Sequence, residues 1–302
     1  MESPQVHSNG LHRYAIVLAI FTLLLVVAGA SVVSKGAGLS VPDWPLSYGQ
    51  VMPEMTGGVL FEHGHRMIGA LVGMLTIGLL VWILRVEKRA WMRKMGWVML
   101  AWVSGVGLLG GLTVKLLTPP PVSILHTMLA QLFFSMTVAM IVFTSKSFEA
   151  GPEIVHDQGW PSLRTMAIAT PLFVLGQIAL GAGFRQGVLS VLWHIMGSML
   201  VTLVIMLTSV FVLQQFPNHR ALRSAARALL TITIVQLCLG VLAFIMRIEA
   251  AEMPVWMVIS TVTHVAVGAS TLATSIVLAI QIRYNVRPAL KAAASEPQAV
   301  AS

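Results

Sequence analysis

The chain has 302 residues, of which 57% are hydrophobic and only 10% are charged, with a mean hydropathy of +0.85 and a formal charge of +8. Soluble proteins carry about 25% charged residues, so this composition leaves too few polar side chains to cover a water-facing surface and indicates a membrane protein. It excludes soluble enzymes, nucleic-acid binders, fibrous chains and disordered tails. The single cysteine, Cys238, lies in an apolar run, which excludes an intramolecular disulfide and a cysteine-based metal site.

Eight segments of the chain are long and apolar enough to cross a bilayer, since a helix needs about 20 residues to span the hydrocarbon core. They predict an all-α polytopic membrane protein with eight transmembrane helices, at 14–33, 66–84, 97–116, 122–144, 166–183, 188–213, 228–246 and 255–282. Lys and Arg divide unevenly between the two sides, with 14 on one and 5 on the other. Because cytoplasmic flanks carry the excess, the N and C termini are both predicted to be cytoplasmic.

The first loop, 34–60, is rich in Gly, Pro and Trp and contains Gly-Leu-Ser-Val-Pro-Asp-Trp-Pro-Leu at 38–46. Its length and composition are typical of an ordered cover over a site at the outer face, and a flexible linker is the alternative. An ordered cover would place that site at the outer ends of the helices.

The second span begins near a cluster of polar residues, Phe-Glu-His-Gly-His-Arg at 61–66. Glu62 and His65 are three residues apart, so they share a face of any helix that includes both. A carboxylate at this place suits catalysis, and the alternative is that Glu62 caps the helix or pairs with Arg66. His63 competes with His65 as a ligand, and His65 is preferred because the small residue Gly69 follows it by four positions.

An internal repeat relates the spans. Odd-numbered spans end alike in glycine followed by a basic residue, and each even-numbered span has one histidine near its outer end with a small residue four positions later. The four histidines are His65, His126, His194 and His264. This pattern predicts two pseudo-symmetric four-helix bundles, in an N-terminal half at 1–150 and a C-terminal half at 151–302, related by an axis along the membrane normal.

Histidine is costly in hydrocarbon and usually marks function there, although any one of the four has the alternative of a helix-packing role. Two histidines from facing helices supply both axial positions of a haem, and a small residue at i+4 would leave a flat wall for the macrocycle. Pairing within halves predicts one site at His65 and His126 and another at His194 and His264. Zinc or copper is the competing metal, but mononuclear zinc usually requires three or four converging ligands.

The motifs together resemble the haem A synthase family over nearly the whole chain. They are the loop at 38–46, the Glu-x-x-His-Arg at 62–66, the Gly-Gly-Leu-Thr-Val-Lys at 110–115, and the remaining histidines. The resemblance implies oxidation of the C8 methyl group of haem O to the formyl group of haem A, through a hydroxylated haem, for cytochrome oxidase assembly. It implies that Glu62, His65 and His126 are catalytic at a substrate haem, that His194 and His264 bind a haem b cofactor, and that all four histidines are iron ligands.

The resemblance also implies a bacterial-type inner cell membrane and contacts with lipid, haem O, a haem O synthase and an electron acceptor, without nucleic acid. Oligomeric state stays open, a homo-oligomer included. The chain departs from many relatives at Val41 and Ser47, where those relatives have a cysteine pair. Any thiol-dependent step or disulfide in this loop is therefore absent.

Two other functions compete with this interpretation. The main alternative is a non-catalytic diheme b membrane cytochrome or haem carrier, which has little use for Glu62 beside only one of the two sites. A transporter also fits duplicated halves, but the spans lack the broken helices and acidic midplane residues that transporters use.

Overall fold

The computed structural model of the chain describes residues 9–249 and 254–288, which form an almost entirely helical protein. The helices are α1 Asn9–Ser34, α2 Gly57–Val86, α3 Ala90–Lys115, α4 Pro120–Phe143, the single turn α5 Lys146–Glu149, α6 Leu163–Arg185, α7 Val191–Gln215, α8 Arg220–Glu249 and α9 Val255–Asn285. Eight of them are long and apolar enough to cross a membrane, which confirms the predicted all-α polytopic fold. The sidedness of the termini stays a prediction, since residues 1–8 and 289–302 lie outside the described residues.

Several helices extend beyond the predicted spans. α2 begins at Gly57 rather than at 66, and α8 begins at Arg220 rather than at 228. Hydropathy reports the part of a helix that can lie in hydrocarbon, whereas its backbone hydrogen bonds continue into polar flanks. The early start of α2 decides one open point, because Glu62 and His65 then lie on the same helix.

Each group of four long helices has its own apolar core. Leu18, Val72, Met99 and Met140 represent the core of α1 to α4, and Val174, Ile205, Leu229 and Leu278 represent that of α6 to α9. α1 and α4 also pack against α9, through smaller clusters around 134 and 262. These cores are consistent with the predicted division of the chain into halves at residue 150, which stays a prediction. The first residue of the N-terminal half and the last residue of the C-terminal half lie outside the described residues.

A short strand pair joins the start and the end of the second group, at the end of the helices away from the four histidines. β1 Val155–His156 pairs in parallel with β2 Val286–Arg287. It connects the chain before α6 to the end of α9. The outer ends of the helices carry the first loop and the histidines, which are described next.

Candidate functional site

Glu62 lies inside α2 and is only 4% exposed. Its Oε2 accepts a hydrogen bond from the main-chain N–H of Val41 at 2.9 Å, and its Oε1 forms an ion pair with Nη2 of Arg66 at 2.6 Å. The pairing that the sequence left as an alternative to catalysis therefore exists. Both oxygens of this carboxylate are held in place, one by the first loop and one by its own helix.

Arg66 fastens the first loop to α2. Its Nη1 donates to the main-chain carbonyls of Asp43 at 2.7 Å and Leu46 at 2.8 Å. Ser47 adds a second attachment, with its Oγ 2.7 Å from Nδ1 of His63. The loop is therefore an ordered cover rather than a flexible linker, and the side chain of His63 is directed to the loop.

Other contacts shape the same cover. Hydrogen bonds from the main-chain N–H groups of Gly49 and Tyr48 lower the pKa of Asp43 below its ordinary value. Gly111 of α3 lies directly against the indole of Trp44, where a Cβ would come within 2.5 Å of the ring. The loop thus covers the outer ends of both α2 and α3. Val41 and Ser47, the two positions that replace the cysteines, are fully buried in it.

Each of the four histidines packs against a glycine of the helix that precedes it. A Cβ built on the glycine would lie 2.8 to 3.0 Å from Cε1 of the imidazole, tighter than nine in ten real Cβ contacts. The pairs are Gly29 with His65, Gly110 with His126, Gly181 with His194, and Gly240 with His264. The same glycine-to-imidazole contact, through Cε1 of the ring, therefore recurs in all four helix pairs of the predicted repeat.

A main-chain carbonyl faces each ring from the residue four positions before that glycine. Val106 O lies 3.1 Å from Nδ1 of His126. Leu25, Gln177 and Gln236 place their carbonyls beside His65, His194 and His264 in the same way, although Nδ1 of His65 and of His264 lacks a hydrogen bond of standard geometry. At His126, an Nδ1–H directed at the carbonyl of Val106 leaves Nε2 available to a metal.

The rings of His194 and His264 face each other, and the pairing of all four histidines as iron ligands stays a prediction. The ring centroids of His194 and His264 are 6.2 Å apart, with perpendicular planes. Metal–imidazole bonds of about 2.0 Å on either side of one ion, together with the size of the rings, account for a separation of this order. His126 lies within electrostatic range of His65. Among the residues that the structure describes, no group of three or more His, Cys, Asp or Glu that could hold a metal ion is found.

Two half-buried glutamines set the second pair apart, and sequence reasoning missed them. Nε2 of Gln177 lies 3.0 Å from Nδ1 of His194, and Nε2 of Gln236 lies 3.4 Å from Nε2 of His264. Both Oε1 atoms are buried without a hydrogen-bond partner in the described part of the chain. The equivalent positions of the first half are Leu25 and Val106. The available signal was a glutamine four residues before the glycine in two of the four repeats.

At two of the four repeats, the small residue four positions after the histidine lies against the preceding helix. A Cβ at Gly268 would lie 3.1 Å from Nε2 of Gln236, and a Cβ at Gly69 would lie 3.7 Å from Cδ1 of Leu25. These positions face the preceding helix and make room for its side chains. Spacing alone could not reveal which neighbour a helix face meets.

Residues 54–283 match the sequence model of the COX15-CtaA family, described as cytochrome oxidase assembly protein. The chain belongs to this family. Among curated relatives, a haem A synthase of Symbiobacterium thermophilum is 29% identical over 169 residues, covering 54% of this chain and 55% of the relative. One of Methylobacterium nodulans is 26% identical over 219 residues, covering 59% of each, and one of Shouchella clausii is 34% identical over 76 residues, covering 24% and 25%. The chain spans about half the length of the curated relatives it matches.

Proposed function

We propose that the chain is a haem A synthase, an oxidoreductase that converts the C8 methyl group of haem O into the formyl group of haem A, in a bacterial-type inner cell membrane. The observation that carries the proposal is the packing of each of four histidines against a glycine of the preceding helix, combined with a buried carboxylate, Glu62, beside only one of the four. Membership in a family of cytochrome oxidase assembly proteins supports it. Relatives named haem A synthase support it further.

His194 and His264 are proposed to hold a haem b cofactor, called the resident haem below. Their donor set fits, because two facing imidazoles with carbonyls behind them are the ligands that a six-coordinate haem iron takes. When bound, haem b supplies one-electron transfer. Gln177 and Gln236 surround the pair with polar groups, which restrict the orientation of the rings.

His65 and His126 are proposed to bind the iron of haem O, the substrate, beneath the first loop. In each of two steps the carbon takes a hydroxyl group from one water molecule, and two electrons and two protons are released, giving first an alcohol and then a hydrated aldehyde that loses water. The electrons pass to an acceptor that binds separately. Glu62, fixed by Val41 and Arg66, either takes a proton from the reacting group or stabilises positive charge on the carbon through its own negative charge.

A non-catalytic diheme b cytochrome or haem carrier remains the second candidate. One observation favours it: the ion pair with Arg66 and the bond from Val41 give Glu62 a structural role. In that case the carboxylate serves only to attach the loop. Substitution of Glu62 then affects loop order rather than turnover.

Co-expression with a haem O synthase, in a host that makes no haem A, tests the proposal. The haems are extracted and identified by mass. We expect the alcohol and aldehyde products from the unmodified chain, no product with retained haem b from His126→Ala, and loss of haem b from His194→Ala. Haem b alone, with haem O plentiful and the protein folded, would establish the cytochrome or carrier instead. Full conversion by His126→Ala would refute the substrate site.

Two parts of the proposal concern partners. A haem O synthase is proposed to deliver the substrate by direct contact, and a redox protein on the outer side of the membrane is proposed to accept the electrons. The two termini are proposed to be cytoplasmic, which places both imidazole pairs near the outer face of the membrane. Oligomeric state, a homo-oligomer included, is a matter for mass measurement on the purified protein.

A further inference from the structure

Two arginines lie at the outer ends of α6 and α8, the first and third long helices of the second half. Arg185 lies four residues beyond Gly181, and Arg247 lies seven residues beyond Gly240. These spacings correspond to one and two helical turns, so each arginine projects from roughly the face on which its glycine meets a histidine. Along the helix axes they lie about 6 Å and about 10 Å beyond the histidine level.

Contacts with neighbouring helices fix the two guanidinium groups. Nη2 of Arg185 donates to the main-chain carbonyl of Ala30 at 3.1 Å and to Oγ of Ser34 at 2.8 Å. The guanidinium of Arg247 lies 4.7 Å above the ring of Phe184. Nη1 and Nε of Arg185 make no hydrogen bond within the described residues. Both cations are therefore oriented, and both retain donors that can bind a ligand.

Neither arginine has a carboxylate partner in the described part of the chain. Arg66 and Arg89, in contrast, form ion pairs at 2.6 Å with Glu62 and Glu87. The contact of Arg247 with Phe184, the residue before Arg185, brings both guanidinium groups to the outer end of α6. Two like charges held together at the edge of a hydrocarbon-facing bundle are unfavourable unless an anion joins them.

The first half has lysines at the corresponding helix ends. Lys35 follows Gly29 and lies over the ring of Phe61 at 5.9 Å, and Lys115 follows Gly110. Arginine binds a carboxylate through two parallel hydrogen bonds, whereas lysine acts as a more mobile point charge. The halves thus differ in a way that suits a ligand that stays in the second half and one that exchanges in the first.

We propose that Arg185 and Arg247 form a carboxylate-binding clamp for the propionate groups of the haem held between His194 and His264. The proposal rests on the proposed function to the extent that it takes a haem as the ligand. Arg185 also connects α6 to the end of α1, so loss of haem after its substitution would not by itself identify a propionate contact. The test therefore changes the ligand as well as the protein.

The experiment compares haem b with its dimethyl ester, in which both propionates are esterified while the iron and the macrocycle are unchanged. Full-length protein in lipid nanodiscs is loaded with each haem, and the rate of haem loss to apomyoglobin is measured. Unmodified protein should lose the ester at least about tenfold faster than haem b, as expected when charge-assisted hydrogen bonds are removed. Arg185→Gln/Arg247→Gln should lose both at one rapid rate, so that the ratio falls to about one.

Two variants keep the outcome unambiguous. Arg283→Gln, at the other end of α9, is the matched control and should preserve the ratio of unmodified protein. The second variant is Arg247→Gln alone. Arg247 makes no hydrogen bond within the described residues, so this change tests the clamp without disturbing the contact of Arg185 with α1. A ratio near one in unmodified protein, or an unchanged ratio in the double variant, would overturn the clamp. If the proposed haem site between His194 and His264 is wrong, His194→Ala would retain haem, and this result is distinct from failure of the clamp alone.

Discussion

The glycines that face the histidines make the sharpest prediction from the structure. In Gly181→Ala the new Cβ would lie 2.8 Å from Cε1 and 3.2 Å from Nδ1 of His194. Carbon atoms in good contact are about 3.5 Å apart or more, so the ring would have to move by about 0.7 Å. Overpacking of this kind typically costs about 1–3 kcal/mol. If this cost applies to the ring orientation that binds haem, the affinity for haem drops about 5- to 150-fold, since each 1.36 kcal/mol corresponds to a factor of ten.

Gly176→Ala is the matched control on the same helix, because a Cβ at Gly176 meets no atom within 4 Å. That change should leave haem content unaltered and even favour the helix by about 0.5–1 kcal/mol. The assay is the ratio of haem to protein in purified membrane protein, together with the absorption spectrum and the thermal unfolding temperature. We expect Gly181→Ala to lose haem b while retaining its helical content.

The first half should respond in a different way to the same substitution. Gly110→Ala places a Cβ 3.0 Å from Cε1 of His126, whereas Gly105→Ala on the same helix meets open space. Gly110→Ala should abolish conversion of haem O and preserve haem b, and Gly105→Ala should change neither. Normal haem b content in Gly181→Ala, with an unchanged spectrum, would refute the inference that the glycine positions the ligand.

Three other substitutions test individual contacts. Glu62→Gln retains the size of the side chain but not its charge, so the yield of oxidised haem should fall sharply with little loss of bound haem b. An unaffected yield, measured by haem extraction, would show that Glu62 has no catalytic role. Ser47→Ala removes the bond to His63, worth about 0.5–1.5 kcal/mol, and should increase hydrogen exchange at 41–50 relative to Ser40→Ala. Gln177→Leu introduces the residue type that the first half has at position 25. We expect this variant to retain haem b with a shifted midpoint potential. An unchanged potential would show that the amide of Gln177 does not influence the site.

Much of this architecture could be predicted from the sequence because it follows from the bilayer. Only long apolar helices satisfy their backbone in hydrocarbon, so eight apolar segments predict eight helices. The four histidines are conspicuous for the same reason, since imidazole is rare and costly at that depth. Their pairing follows from the repeat. Helix ends were less predictable, because hydropathy does not report where a helix stops in the polar flank, as the start of α2 at Gly57 shows.

Contacts that depend on which helix faces which could not be predicted in this way. Periodicity shows that Gly69 and Gly268 share a face with a histidine, but it does not show that this face meets Leu25 or Gln236. The partner of Glu62 is similarly hidden, because the N–H of Val41 comes from a loop 21 residues earlier. Such contacts depend on the rotation of each helix about its axis, which packing determines.

The structure also explains how one duplicated frame can hold two unequal sites. Every repeat supplies the same three elements, which are a glycine, a facing histidine and a carbonyl four residues before the glycine. The halves then differ in the side chains around that frame, with Glu62 and lysines in the first and glutamines and arginines in the second. Glutamine and arginine donate several fixed hydrogen bonds and favour a ligand that remains bound. A single carboxylate beneath a covering loop suits a ligand that enters, reacts and leaves, so the difference in polar side chains accounts for the proposed division of labour between the two histidine pairs.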